Sequence, residues 1–223
     1  MSDNIRIGLI HATMNSVSPI LRAFSQLEEK ADLVNFMDEG LIYELNETNT
    51  VTNRMIMRLS ELAGKAVESN VDAILFTCSS FTPYVAKIAE LIPVPVLSSD
   101  MSMLEKAVEK SSDIVVIATV KAAGPTTERM LNEAAAKRNK KVNIKMFVLR
   151  EAFQALQNGE PSAHDQLIQE KIQEHEGAET IVLAQYSMAR AVESTNFPNV
   201  LTGPHVSAQS IMRKAREAEY ENR

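Results

Sequence analysis

The sequence predicts an α/β protein built on parallel sheets, and three observations lead there. Eight short runs rich in Val, Ile and Leu recur with little alternation. That is the pattern of strands covered on both faces. Amphipathic stretches lie between them, and this β-α-β-α rhythm implies parallel pairing with right-handed crossovers. Hydroxyl residues and prolines stand where strands pass into helices. A chain of 223 residues can hold one large domain or two small ones, each with its own core.

The first strand is expected at Ile5–His11, with a helix start at Ser18-Pro19. Asp32–Phe36 is the second strand, and Met37-Asp38-Glu39 reads as loop surface beyond it. Asn49-Thr50 precedes a long helix over Val51–Ser69, where Val51, Met55, Leu59, Leu62, Ala63, Ala66 and Val67 follow a period near 3.6 residues. Ala73–Thr77 is the third strand. Thr82-Pro83 follows it, and proline suits a helix start because it has no N–H to leave unpaired. Strands are next expected at Val94–Leu97 and Ile114–Ala118. Gly124-Pro125-Thr126-Thr127 then opens a helix over Thr127–Arg138. Val142–Val148, a helix over His164–Glu174, Thr180–Ala184, Asn199–Leu201 and a last helix over Ala208–Tyr220 complete the series. Each strand-to-helix junction aims free N–H groups and hydroxyls at the carboxyl end of a sheet, where open α/β sheets bind ligands.

An internal repeat is visible. Asp72 to Phe81 aligns with Glu179 to Met188: an acid, an apolar strand, then a polar loop with Ser80 and Ser187 at one offset. Any two βα units share part of this pattern. A true duplication gives two similar parallel-sheet lobes, flavodoxin- or Rossmann-like, with a cleft between them and Cys78 opposite Gln185. The first lobe is then residues 1–98 plus 205–223, and the second is residues 99–204.

Composition narrows the function. Twenty-three Lys and Arg against 29 Asp and Glu leave a net charge of −6. That balance argues against nucleic acid, whose phosphates need a basic face. With 45% hydrophobic and 23% charged residues, global disorder is not expected. One cysteine makes no internal disulfide, and no apolar stretch approaches the ~18–20 residues that span a bilayer. A cytoplasmic protein without a membrane partner is the expectation. No metal is expected, because no His, Cys, Asp or Glu pair has a recognised ligand spacing. No cofactor is expected either. GxGxxG is absent, and Gly124-Pro125-Thr126-Thr127 lacks the lysine of a P-loop.

Cys78 is the residue to explain. It follows an apolar strand and precedes a helix start, a place where N–H groups and the helix dipole stabilise a thiolate as base or nucleophile. A lone cysteine can equally fill space in a core. Four hydroxyls in Thr77-Cys78-Ser79-Ser80-Phe81-Thr82 favour the functional reading. His11 ends the first strand beside Thr13, Asn15 and Ser16. It is either a solvated loop histidine or an orienting or acid/base group that borders the cleft. His205 has the same choice, whereas His164 and His175 read as solvent-facing.

Leu75-Phe76-Thr77-Cys78-Ser79-Ser80 resembles the first active-site motif of the aspartate/glutamate racemase family, which includes hydantoin racemases, maleate isomerases and arylmalonate decarboxylases. The chain length, the α/β rhythm and the repeat at Ile181–Ala189 are similar to that family as well. The resemblance implies isomerase chemistry without cofactor on a small amino acid or dicarboxylate. It also implies a thiolate at Cys78 and, as often in the family, a homodimer. It further implies carboxylate binding by Ser79, Ser80, Thr119 and Thr126. Two cysteines usually act there, one taking a proton alpha to the carboxylate and one returning it. Here Gln185 stands in the second place, and an amide only donates and accepts hydrogen bonds. Three readings follow. Tyr186 or a histidine supplies the acid. One thiol suffices, as in a decarboxylase-like lyase or in nucleophilic addition that drives isomerisation. Or catalysis is lost and carboxylate binding remains. Gln185, Tyr186 and Ser187 form the second wall in each, and a phosphate binder using helix N-termini is a weaker option.

Overall fold

A computed structural model describes residues 4–120, 123–195 and 197–221. The chain divides into two compact units, one of Met1–Ser99 with Pro204–Arg223 and one of Asp100–Gly203.

In the first unit β1 (Ile5–His11), β2 (Ala31–Met37), β3 (Ala73–Phe76) and β4 (Val96–Ser98) form a parallel sheet in the order β2-β1-β3-β4. Its helices are α1 (Val17–Ser25), α2 (Gly40–Thr48), α3 (Asn53–Glu68) and α4 (Thr82–Ala89), and α9 (Gly203–Glu221) joins them from Pro204 onward. In the second unit β5 (Asp113–Ala118), β6 (Asn143–Val148), β7 (Thr180–Leu183) and β8 (Val200–Thr202) form a parallel sheet in the order β6-β5-β7-β8. Its helices are α5 (Met101–Lys110), α6 (Ala123–Lys137), α7 (Arg150–Gln157) and α8 (Pro161–Gln173). The α/β class read from the sequence is the class observed.

The central strands are buried along almost their whole length: β1, β3, β5 and β7 carry the apolar runs that announced them. The edge strands β2 and β6 are only half-buried, which accounts for Asn35 and Lys145 within them. On α3 the buried positions Met55, Leu59, Ala63 and Ala66 form the predicted stripe. There β1 and α3 come so close that a Cβ on Gly8 would lie 3.1 Å from the Ala66 Cβ.

The two sheets repeat each other in backbone detail. Thr77 N–H donates to Ile10 O, and Ala184 N–H donates to Ile117 O, both at 2.9 Å. Asp38 N–H donates to His11 O as Leu149 N–H donates to Ala118 O. Ile74 N–H donates to Pro95 O as Ile181 N–H donates to Asn199 O, both at 2.8 Å. Identical strand order with matching strand-end bonds makes Cys78 and Gln185 equivalent positions, each the residue that caps a 3-10 turn after the third strand of its sheet.

Several local expectations change. The cap of α3 is Thr52, whose hydroxyl accepts from Met55 N–H, and not Asn49-Thr50. Asn49 has φ 55° and terminates α2, a helix that sequence patterning does not predict because only Leu41 is buried on it. Asp38 is no solvated loop acid. Arg58 reaches it through two hydrogen bonds of 2.8 and 2.6 Å and holds Glu44 at 3.1 Å, tying α2 to α3. Any side chain at Gly40 would meet the Arg58 guanidinium at 2.5 Å. Pro19, Pro83 and Pro125 lie within the first turns of α1, α4 and α6, where the missing N–H has no intrahelical partner to lose. Among the described residues, no helix is long and apolar enough to cross a membrane.

Candidate active site

The sequence points to the loops after β3 and β7, and each belongs to one unit. After β3 the backbone stays extended at Cys78 (φ −111°, ψ 116°) and then tightens into a 3-10 turn, Ser79–Phe81, that leads into α4. Phe81 is buried and anchors the turn, and its N–H donates to Cys78 O. Cys78 is a thiol outside any disulfide, half-buried, and it packs against the core cluster that holds Phe76 and Phe81. Ser79 and Ser80 beside it are half-buried as well.

Behind this loop lies a polar network that the sequence does not announce. His11 is fully buried. Its Nε2 lies 2.9 Å from Asn35 Oδ1, and its Nδ1 lies 2.8 Å from Thr77 Oγ1 and 3.2 Å from Ser16 Oγ. Ser16 Oγ is in turn 2.9 Å from both Thr77 Oγ1 and Thr13 O. A neutral imidazole satisfies this arrangement: Nε2–H donates to Asn35, and Nδ1 accepts from the Thr77 hydroxyl. Burial lowers the His11 pKa below its usual 6.5, and the Asn35 bond opposes that only in part. The expectation that His11 borders a cleft and contacts substrate does not match this placement. With no exposed surface and both nitrogens engaged, it positions Thr77, the residue before Cys78.

A pH dependence follows from the direction of that shift. Below about 6.5 the unfolded chain binds a proton on His11 that the folded chain still refuses, so stability falls as the pH drops from 6.5 toward the lower folded value. The slope from this one group does not exceed about 1.4 kcal/mol per pH unit. Urea unfolding of the wild type and of His11→Gln between pH 7.5 and 5 measures it. The wild type should lose stability more steeply, and parallel curves would remove His11 as the cause.

In the second unit the equivalent loop begins at Gln185, also extended (φ −127°, ψ 149°), ahead of a 3-10 segment over Tyr186–Val192. Gln185 Oε1 accepts from Thr119 N–H at 2.9 Å and from Thr119 Oγ1 at 3.3 Å. Its Nε2 is buried and has no hydrogen-bond partner among the described residues. Thr119 and Tyr186 are buried, and Ser187 is half-buried. Thr126 is half-buried in the first turn of α6. The structure thus joins Thr119 to Gln185 directly, a bond across 66 residues that no local pattern signals.

The remaining histidines divide. His164, expected in solvent, is fully buried: its Nδ1 lies 2.8 Å from Asp165 Oδ1, and Arg190 donates to Asp165 through Nε at 2.9 Å. This braces α8 against the 3-10 segment after Gln185. His175 is half-buried and stacks on Phe147 with ring centroids 4.5 Å apart. His205 is exposed in the first turn of α9. Among the described residues, no group of three or more His, Cys, Asp or Glu could hold a metal ion.

A family model described as Asp/Glu/Hydantoin racemase matches residues 12–209. No curated protein matches the sequence. Among solved structures, an aspartate racemase homologue from Pyrococcus horikoshii superposes with a TM-score of 0.71 at 14% identity, covering 95% of this chain and 99% of that one. Allantoin racemase from Klebsiella pneumoniae gives 0.70 at 14% identity over 94% and 87% of the two chains. A sulfate-associated arylmalonate decarboxylase variant gives 0.60 at 11% identity over 95% and 93%. At these identities the structural likeness is one of fold.

Proposed function

The chain belongs to the Asp/Glu/Hydantoin racemase family, and we propose that it is a cofactor-independent isomerase of a small amino acid or dicarboxylate, with Cys78 as thiolate base or nucleophile. The observation that carries this reading is the place of Cys78. It is half-buried at the carboxyl end of β3, at the head of the turn that runs into α4. Ligands of open α/β sheets bind at such strand ends. A proton alpha to a carboxylate is weakly acidic, so a base must reach it closely while donors spread the charge that develops on the carboxylate. In the proposal the thiolate of Cys78 takes that proton and becomes a thiol. Ser79, Ser80 and Thr126 donate to carboxylate oxygens, and Thr119 holds the Gln185 amide. Tyr186 returns a proton from its phenol, and Gln185 and Ser187 complete the second set of contacts. A reducing cytoplasm suits a working thiolate, and the proposed active form is a homodimer.

One observation favours a second reading. Gln185 occupies the position equivalent to Cys78, and a glutamine amide neither takes nor gives a proton near neutral pH. A one-thiol lyase, which protonates a carbanion from one side only, uses the same Cys78 and needs no acid at Gln185. A binding protein that has lost catalysis needs neither.

Alkylation of Cys78 and exchange in heavy water separate the three. An enzyme of either kind should show rapid alkylation below pH 8 that small carboxylates suppress, since an activated thiolate reacts below the ordinary thiol pKa of ~8.5. An isomerase should also exchange the alpha proton of its substrate with solvent. Suppressed alkylation without exchange, and without loss of carbon dioxide from malonates, would leave binding alone. Slow alkylation indifferent to carboxylates would end the proposal.

A further inference from the structure

We propose that Gln185 is a specificity-determining hydrogen-bond donor that selects an acceptor oxygen of the bound compound and disfavours an ammonium at that point. The inference rests on the reading above for the class of compound, a small carboxylate, and adds which second polar group that compound carries.

The orientation of the amide is settled by its partner. A backbone N–H can only donate, so the Gln185 atom 2.9 Å from Thr119 N is the oxygen. The Thr119 hydroxyl, at 3.3 Å, approaches the same oxygen. Nε2 is therefore fixed on the other branch, and it is buried with two protons and no acceptor among the described residues. Unmet buried donors are rare in folded proteins and call for a partner that completes them.

The pin on Oε1 is also not a by-product of the fold. The first unit has the same strand-end framework, yet the residue equivalent to Thr119 there is Ala12, which offers no hydroxyl, and the residue equivalent to Gln185 is Cys78. The second unit alone builds an amide and a clamp to aim it.

What Nε2 requires is a lone pair. A carboxylate or carbonyl oxygen supplies one, and an ammonium group has three donors and no acceptor. Of two compounds that share a carboxylate and a chain length, the one ending in a second carboxylate should bind and the one ending in an ammonium should not. Succinate and β-alanine form such a pair.

Titration calorimetry on the full chain tests this, with Gln185→Glu as the principal variant. A glutamate keeps an oxygen for Thr119 N–H and puts an oxygen anion in place of Nε2. Gln185→Leu removes the donor without adding charge, and a thermal melt of each variant confirms that it is folded. The wild type is expected to bind succinate at least tenfold more tightly than β-alanine. Both variants are expected to bind succinate on the order of 10- to 100-fold more weakly, the loss of one charge-assisted hydrogen bond. Undiminished succinate binding in folded Gln185→Glu, a preference for β-alanine in the wild type, or no binding of either compound would overturn the proposal. Cys78 alkylation, followed in the same samples, tells this failure from that of the broader reading. Succinate that binds through Gln185 yet leaves the alkylation rate unchanged supports the donor at Gln185 and removes Cys78 from the site.

Discussion

Cys78→Ala is expected to lower alpha-proton exchange by about 10³-fold or more while leaving the protein folded. A positioned acid or base contributes about 10²–10⁴-fold, and in the proposed reaction Cys78 is the group that opens the step. Few other groups stand ready to replace it. Ser79 and Ser80 are hydroxyls that hold their protons near neutral pH, and the amide of Gln185, in the equivalent place of the second unit, neither takes nor gives a proton there. His11 is sealed behind the loop with both nitrogens engaged. Cys78→Ser should fare little better, because the smaller hydroxyl keeps a polar group in place but not the acidity of a thiol. The stability cost is modest: the side chain is half-buried at the margin of its core cluster, so losing the sulfur forfeits roughly 1 kcal/mol of apolar burial. Exchange followed by proton NMR in heavy water, beside a thermal melt, measures both. Exchange within a few-fold of wild type in Cys78→Ala would reduce Cys78 to a packing residue.

The strands were the most legible part of this sequence because burial on two faces leaves little room for polar residues. β1, β3, β5 and β7 stand out for that reason, and all eight observed strands fall on predicted runs to within two residues at either end. Helices followed their buried face only in part: α5 buries Met103, Leu104, Ala107 and Val108 yet was not expected from the sequence. α3 buries Met55 and Leu59 and shows a clear period. α7 buries only Ala152 and Ala155, and α2 only Leu41, so neither has a stripe to read. What holds α2 in place is the Arg58 bridge to Asp38 and Glu44, and Asp38 read from the sequence as loop surface.

The site was legible where it depended on local order and opaque where it depended on contact. The repeat aligned Cys78 with Gln185 correctly because both lie a fixed distance beyond a recognisable strand. Nothing local linked His11 to Asn35, 24 residues away, or to Thr77, 66 residues away. A histidine followed by Thr13, Asn15 and Ser16 resembles an exposed loop until β2 and β3 are laid on either side of β1. The aim of the Gln185 amide was equally hidden, since Thr119 reaches it only once β5 and β7 have paired.

Phe76→Ala should produce the largest loss of stability among single substitutions near the candidate site. Phe76 is 2% exposed on β3, with Ile10 of β1 and Ser98 of β4 as its register partners. Its ring lies in the cluster that also contains Leu59, Phe81, Val85 and Ile88, so it ties the sheet to α3 and α4 together. Truncating a buried phenylalanine costs about 3–5 kcal/mol through lost transfer energy and the cavity left behind. That is a large share of the 5–15 kcal/mol typical of a whole domain, and for a chain of this size it corresponds to a melting point lower by roughly 6–20 °C. Phe76 is also followed directly by Thr77 and Cys78. Thr77 holds the loop through its N–H, which donates to Ile10 O, and its hydroxyl, which donates to His11, and those bonds depend on β1 and β3 keeping their spacing. Cys78 alkylation in folded Phe76→Ala should therefore lose its sensitivity to carboxylates at a lower temperature than global unfolding, as the loop loosens first. A melting point within 3 °C of wild type would show that the ring is not the link between sheet and helices. A melt that falls as expected, with carboxylate protection persisting up to unfolding, would show that the loop is held by its hydrogen bonds alone.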